Sequence, residues 1–217
     1  MREEFRADLA SVGQILVNMA EGVRAAMSQA TRALLSADQT GAEEVLHGDA
    51  EIDAYYRRVE EKVYDLLARQ APVASDLRVL VTALHVAADL ERMGDLADHV
   101  AKTCLRRVPA IAVPDELVPV IKDMASVADR MSAKIADILR SSDAQRAAEL
   151  ESDDDEMDEL NKQLFGLMLG TAWRHGVEAA IDGALLGRWY ERFADHSVNA
   201  GKQVVYLVTG EAPAPAA

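Results

Sequence analysis

At four places in this 217-residue sequence two carboxylates stand four residues apart: Asp49 with Asp53, Glu91 with Asp95, Asp154 with Asp158, and Glu191 with Asp195. On a helix, side chains at i and i+4 project within about 40° of each other, so each pair sets like charges side by side and weakens its own helix unless a cation lies there. If the helices carrying two such pairs pack together, the oxygens form a patch suited to hard cations such as iron(III), manganese or magnesium. Asp98 shares the strip of Glu91 and Asp95, whereas Val198 stands at the matching place after Glu191 and Asp195, so the two patches need not be equal. His99 and Asn199 border the strips as further candidate ligands. The competing reading is a solvated face: the strips lie roughly opposite the apolar stripes of Met93/Val100 and Phe193/Val204. Leu77, Leu80 and Leu84 share the Glu91 strip one to three turns earlier, so that face is not uniformly polar.

The elements that carry these pairs read as helices. Half of the residues are apolar, aromatics are 5%, and Ala, Leu, Glu, Arg and Met dominate, a composition that favours helix over strand and suffices for a large core. Breakers at Asp38–Gly41, Ala71–Ser75, Pro109–Pro114, Ser141–Asp143 and, more softly, Gly170–Gly176 divide the chain into six helices spanning about 3–36, 41–70, 75–107, 115–140, 143–170 and 174–208. Thr40 with Glu43 and Ser142 with Gln145 fit the capping box and are expected to open the second and fifth helices. The third and sixth helices match at an offset of one hundred: Glu91-Arg92-Met93-Gly94-Asp95 returns as Glu191-Arg192-Phe193-Ala194-Asp195. Asp49–Asp53 returns as Asp154–Asp158, and Met27-Ser28 as Met131-Ser132. The expectation is an all-α chain, a tandem duplication of a three-helix bundle: residues 1–109, residues 114–208, and a disordered Pro/Ala tail at 209–217.

A net charge of −14 argues against nucleic acid as a partner and favours cationic surfaces or metal ions. The start shows no apolar core of signal-peptide type, and the most apolar stretch, Val79 to Leu90, is interrupted by His85 and too short to span a bilayer, so the expected place is the cytoplasm without membrane insertion. Cys104 sits in an apolar stripe and reads as a small buried residue. Arg92 and Arg192 are expected to pair with acids on neighbouring helices, Asp76 and Arg78 to pair locally, and Trp173-Arg174-His175-Gly176 to pack a loop. The sequence has no Gly-rich phosphate loop, no His-Glu-x-x-His and no nucleophile elbow, and its one Glu-x-x-His, Glu44 to His47, has no partner motif. Binding, not catalysis, is the expected mode of action.

The segment Ala71-Pro72-Val73-Ala74-Ser75-Asp76-Leu77-Arg78, with Asp89-Leu90-Glu91-Arg92-Met93-Gly94-Asp95, resembles the signature of the PhoU family of phosphate-uptake regulators, and Glu191 to Asn199 resembles that family's second copy. The resemblance runs from about residue 5 to 208. It implies two three-helix bundles, a homodimer, and repression of the phosphate-starvation response when phosphate is plentiful. The implied partners are the ATPase subunit of the phosphate ABC transporter and a sensor histidine kinase. It also implies multinuclear iron or zinc clusters on Asp49, Asp53, Glu91, Asp95 and Asp98 in copy one, and on Asp154, Asp158, Glu191, Asp195 and Asn199 in copy two. Two departures stand out: Val177 and Glu178 occupy the places of Leu77 and Arg78, and His99 replaces the asparagine more usual for the family. The alternatives are a metal-storage or metal-dependent carboxylate bundle, and a paralogue regulating another transporter.

Overall fold

The computed structural model describes residues 2–70 and 72–211. They form α1 (Arg2–Ser36), α2 (Gln39–Gln70), α3 (Ser75–Arg107), α4 (Val118–Ser141), α5 (Ala144–Ala148), α6 (Leu150–Leu169) and α7 (Gly176–Thr209), with no strand among the described residues. The chain is all-α, as composition and periodicity require. In α1 the buried positions Val12, Leu16, Met19, Val23, Met27, Ala30 and Leu34 recur at steps of three and four, one continuous stripe. Each large apolar side chain so buried contributes about 1.5–3 kcal/mol relative to exposure.

Local chemistry moves several boundaries from their expected places. Asp38, not Thr40, caps α2: its carboxylate accepts from the Gly41 N–H at 3.1 Å, while Glu43 accepts instead from the Gln39 side chain at 2.7 Å. At the next such junction Ser142 takes a left-handed conformation that ends α4, and Asp143 accepts from the N–H groups of Gln145 and Arg146, both at 3.0 Å. In both places the Asp follows a residue with positive φ, Ala37 or Ser142, and from there its carboxylate reaches the orphan amides of the first turn. α4 begins at Val118, not 115, which places Pro119 in the first turn, where its missing N–H costs no helical hydrogen bond. The fifth expected helix is divided at Glu149, whose carbonyl accepts from both Ser152 and Asp153. Thr209, the first residue of the expected tail, is the last residue of α7; residues 212–217 of that tail lie outside the described residues.

α1, α2 and α3 pack on one another, as do α4, α6 and α7, and the two triples join through α3 against α7 and α1 against α4. α3 and α7 run antiparallel. Arg78 at the start of α3 reaches the Leu207 carbonyl at 3.4 Å and lies over the Tyr206 ring, so it serves the end of α7 and not Asp76. At the opposite end, Arg106 and Arg107 pair with the buried Asp182 of α7 at 3.3 and 2.6 Å. A single apolar core runs through both triples. Cys104 is buried within it, its thiol pushed up by burial. Polar groups cross the seam in pairs: Thr31 with Tyr190 at 2.6 Å, Asp89 with His196 at 3.0 Å, and His99 stacked on Trp189 with ring centroids 4.5 Å apart. The loop before α7 is closed by Trp173, whose Nε1–H donates to the Gly176 carbonyl at 2.9 Å.

Tyr190 is fully buried and its hydroxyl meets Thr31, whose own hydroxyl also donates to the Met27 carbonyl. Tyr190→Phe is expected to cost about 1 kcal/mol of stability in urea unfolding with an unchanged m-value, because one buried hydrogen bond is lost and Thr31 keeps a partner.

Candidate functional site

Copy one builds its acidic patch where α2 crosses α3. Gly94 makes the approach possible: a Cβ on it would lie 3.1 Å from Ile52 and 3.3 Å from an Asp49 carboxylate oxygen. The absent side chain therefore lets α2 seat Ile52 against α3 and carries Asp49 to the strip of Glu91, Asp95 and Asp98. Side-chain exposure along that strip is 24% at Glu91, 42% at Asp95 and 11% at Asp98, so the face is not simply solvated.

The charges feel one another across the helices. Burial first, then the negative charges of Asp98, Asp53 and Asp95, push the Asp49 carboxyl up to about 6. Glu91 is raised by burial and by Asp95, Asp53 and Asp49 against the relief of Arg92. Asp98 is raised by burial, against the Lys102 ammonium at 3.5 Å on its own helix. Copy two repeats the arrangement where α6 crosses α7: burial, Asp195, Asp158, Asp155 and Glu191 push Asp154 up to about 6, and Asp195 is raised by burial and Glu191. All four pairs are thus brought into two clusters.

The counter-charges are local. Arg92 bonds Asp95 at 2.9 Å and Glu91 at 3.5 Å on its own helix, not acids on a neighbouring one. Arg57 lies 3.6 Å from Asp53, and Arg188 bonds Glu191 at 2.8 Å. Of the bordering residues, His99 stacks on Trp189, while Asn199 is half-buried beside the buried Val198. Sequence reasoning missed Lys102, although its place four residues after Asp98 was a signal for an ion pair.

The PhoU domain family model matches the chain twice, over residues 16–104 and 121–204, which takes in both clusters. The chain belongs to the PhoU family. The phosphate-specific transport system accessory protein PhoU homolog 2 of Mycobacterium tuberculosis is 41% identical over 213 residues, covering 98% of this chain and 100% of its own. Homolog 1 of the same organism is 40% identical, with 98% and 96% covered. The fold is similar to the crystal structure of the phosphate transport system regulatory protein PhoU from Streptococcus pneumoniae, with TM-score 0.83, 26% identity and 97% and 99% of the two chains covered. It is equally similar to that of PhoU from Pseudomonas aeruginosa, with TM-score 0.83, 28% identity and 95% and 100% covered.

Asp98 Oδ1 and Asp154 Oδ1 are buried with no hydrogen-bond partner, one orphaned acceptor in each cluster, and a cation would satisfy both. The donor set, all carboxylate oxygen, suits hard cations such as iron(III) better than zinc. Among the described residues, however, no three His, Cys, Asp or Glu side chains already close on one point at ligand distance. The clusters are collections of loose ligands that fit a metal by donor chemistry and require side-chain rotation to hold it.

The raised carboxyls have a thermodynamic consequence in chelator. Asp49 and Asp154 hold their protons to about pH 6 in the folded chain and to about 3.8 when unfolded. Between these values the folded state binds more protons, so stability falls as pH rises through that window and the penalty is complete above it. Thermal melts in EDTA should therefore show a lower Tm at pH 7.5 than at pH 5, and Asp49→Asn with Asp154→Asn should flatten that slope; an unchanged slope would contradict the clustering.

Proposed function

We propose that this PhoU family protein is a cytoplasmic regulator of phosphate uptake that acts by binding proteins and not by catalysis. On this reading it links the ATPase subunit of a phosphate ABC transporter to a sensor histidine kinase, as a homodimer, and represses the phosphate-starvation response while phosphate is plentiful. The observation that carries the reading is the full-length match to relatives named as phosphate-specific transport system accessory proteins, with the family domain present in both halves of the chain. Among the described residues no helix is long and apolar enough to cross a membrane, in keeping with a partner that docks on a transporter from outside the bilayer. Deletion of the gene should leave starvation genes expressed in phosphate-rich medium, read by alkaline phosphatase or transporter transcript. Genes that stay repressed would transfer the protein to the regulation of another transporter.

A second element of the reading is metal binding, favoured by the orphaned oxygens of Asp98 and Asp154. Asp49, Asp53, Glu91, Asp95 and Asp98 would hold an ion or cluster in copy one, and Asp154, Asp158, Glu191 and Asp195, with Asn199 at the border, in copy two. A bound cation there would neutralise mutual repulsion and tie α2 to α3 and α6 to α7. Glu91→Ala with Asp95→Ala should lower bound iron or zinc from copy one, and Glu191→Ala with Asp195→Ala from copy two, measured by elemental analysis after purification without chelator. Wild type should gain Tm with added metal by mass action and each double variant should lose part of that gain. Copy one, with Asp98, should hold the tighter site, although Lys102 must first release that carboxylate.

A further inference from the structure

The two copies differ where their first two helices meet. The repeats Met27-Ser28/Met131-Ser132 and Asp49–Asp53/Asp154–Asp158 set Ala26 opposite Arg130, Ala30 opposite Lys134, Glu44 opposite Glu149, Gly48 opposite Asp153, and Glu51 opposite Glu156. In copy two the junction is filled by the chain's own cations: Arg130 bonds Glu156, and Lys134 reaches Asp153 at 2.7 Å and Glu149 at 3.2 Å. Copy one keeps both glutamates, has Gly48 in place of Asp153, and has alanine in place of both cations, Ala26 lining the junction and Ala30 buried beneath it.

What results is a groove of about 270 Å³ between α1 and α2, floored by Gly22, Ala25, Ala26 and Gly48 and flanked by Glu44 and Glu51. A Cβ on Gly48 would meet nothing within 4 Å, so the space is open. The glutamates have only neutral donors: the Gln29 amide bonds Glu44 at 2.7 Å and the Tyr55 hydroxyl bonds Glu51 at 3.1 Å. Among the described residues neither is in an ion pair. Fourteen excess negative charges on the chain already favour a cationic visitor.

We propose that the α1–α2 groove of copy one is a docking site for a helix of a partner protein that presents two basic side chains four residues apart. Their guanidinium or ammonium groups would take the places that Arg130 and Lys134 fill in copy two. The small floor residues let a helix backbone approach, and the spacing comes from the pair that copy two carries on α4. This inference rests on the reading that the chain acts by binding proteins, and it names the chemistry of one surface through which it does so.

The test uses the full chain and a stapled Ala/Gln helix of about 20 residues. One form of this probe bears Arg and Lys four residues apart, and an isomer of equal charge bears them two apart. By fluorescence anisotropy the first should bind about tenfold more tightly than the second, the difference expected of a well-formed charged hydrogen bond, and more weakly as salt is raised. Glu44→Gln with Glu51→Gln should abolish the preference, as should Ala26→Arg, which supplies the missing cation from within, and Gly48→Trp, which fills the space without changing charge. Retained melting temperature and helical circular dichroism would show that these variants fold, and the charge-preserving Glu44→Asp with Glu51→Asp should keep part of the preference. Equal binding of the two isomers, equal competition by spermidine and the spaced helix, or binding indifferent to all three changes would overturn the groove assignment.

A chromosomal Glu44→Gln/Glu51→Gln strain separates this idea from the broader one. Derepression in the deletion strain with wild-type behaviour of the double variant overturns the groove and leaves the regulator intact. Continued repression in the deletion strain overturns the regulator reading, and the peptide measurement then judges the groove alone.

Discussion

The antiparallel contact of α3 with α7 is the constraint on which the rest of the molecule depends. α3 packs on α1, α2 and α7 at once, so that three sides of one helix are buried and a single strip faces outward. α7 is in the same position against α3, α4 and α6. The acids Glu91, Asp95, Glu191 and Asp195 lie on the remaining strip, whereas the charges that fall on the packed sides are paired there, Asp182 with Arg106 and Arg107 and Asp89 with His196. The same contact fuses the two triples into one core, held at its ends by Arg78 on the Leu207 carbonyl and by Arg107 on Asp182. Neither copy presents its third helix to water as an isolated bundle would.

Crowding carboxylates at these crossings is electrostatically costly. Asp49 and Asp154 are both pushed up to about 6, and in each the burial effect precedes the neighbouring charges. Half-burial removes the water that would screen the repulsion, and the opposing helix supplies more negative charge. A fold optimised only for stability would place an arginine across the junction. Instead, Arg92 and Arg188 lie along their own helices, and each cluster keeps one buried oxygen with no partner. That combination leaves the repulsion within each cluster only partly relieved by the chain's own cations.

Duplication also makes the chain its own comparison. Where the repeated motifs align, a difference in side chain between the copies shows which groups one junction has and the other does not. At the Asp49/Asp154 crossings the copies agree, with acids against acids. At the junction of the first two helices they disagree: copy two neutralises its glutamates with Arg130 and Lys134, and copy one leaves Glu44 and Glu51 to the neutral groups of Gln29 and Tyr55. Copy two has in addition a helix divided at Glu149, the residue that Lys134 pairs with. Retained acids without retained cations distinguish copy one's outer surface from that of its twin.

The sequence alone determined the all-α class and the repeat of short motifs, because each follows from a period of three to four residues or from self-similarity, while the break at Glu149 was not legible there. Asp49, Asp53, Glu91, Asp95 and Asp98 could be grouped in advance since i and i+4 share a face on any helix. Local turn chemistry was less legible: Asp38 and Asp143 took the caps that Thr40 and Ser142 seemed to offer, because the residue in the left-handed or reversing position is set by how the flanking helices are led apart. Only the tertiary structure decided which helices meet. The passage of α2 over Gly94, the reach of Arg78 to the far end of α7, the stacking of His99 on Trp189, and the open groove beside Gly48 all depend on the distance between chain segments, which no periodicity in one segment encodes.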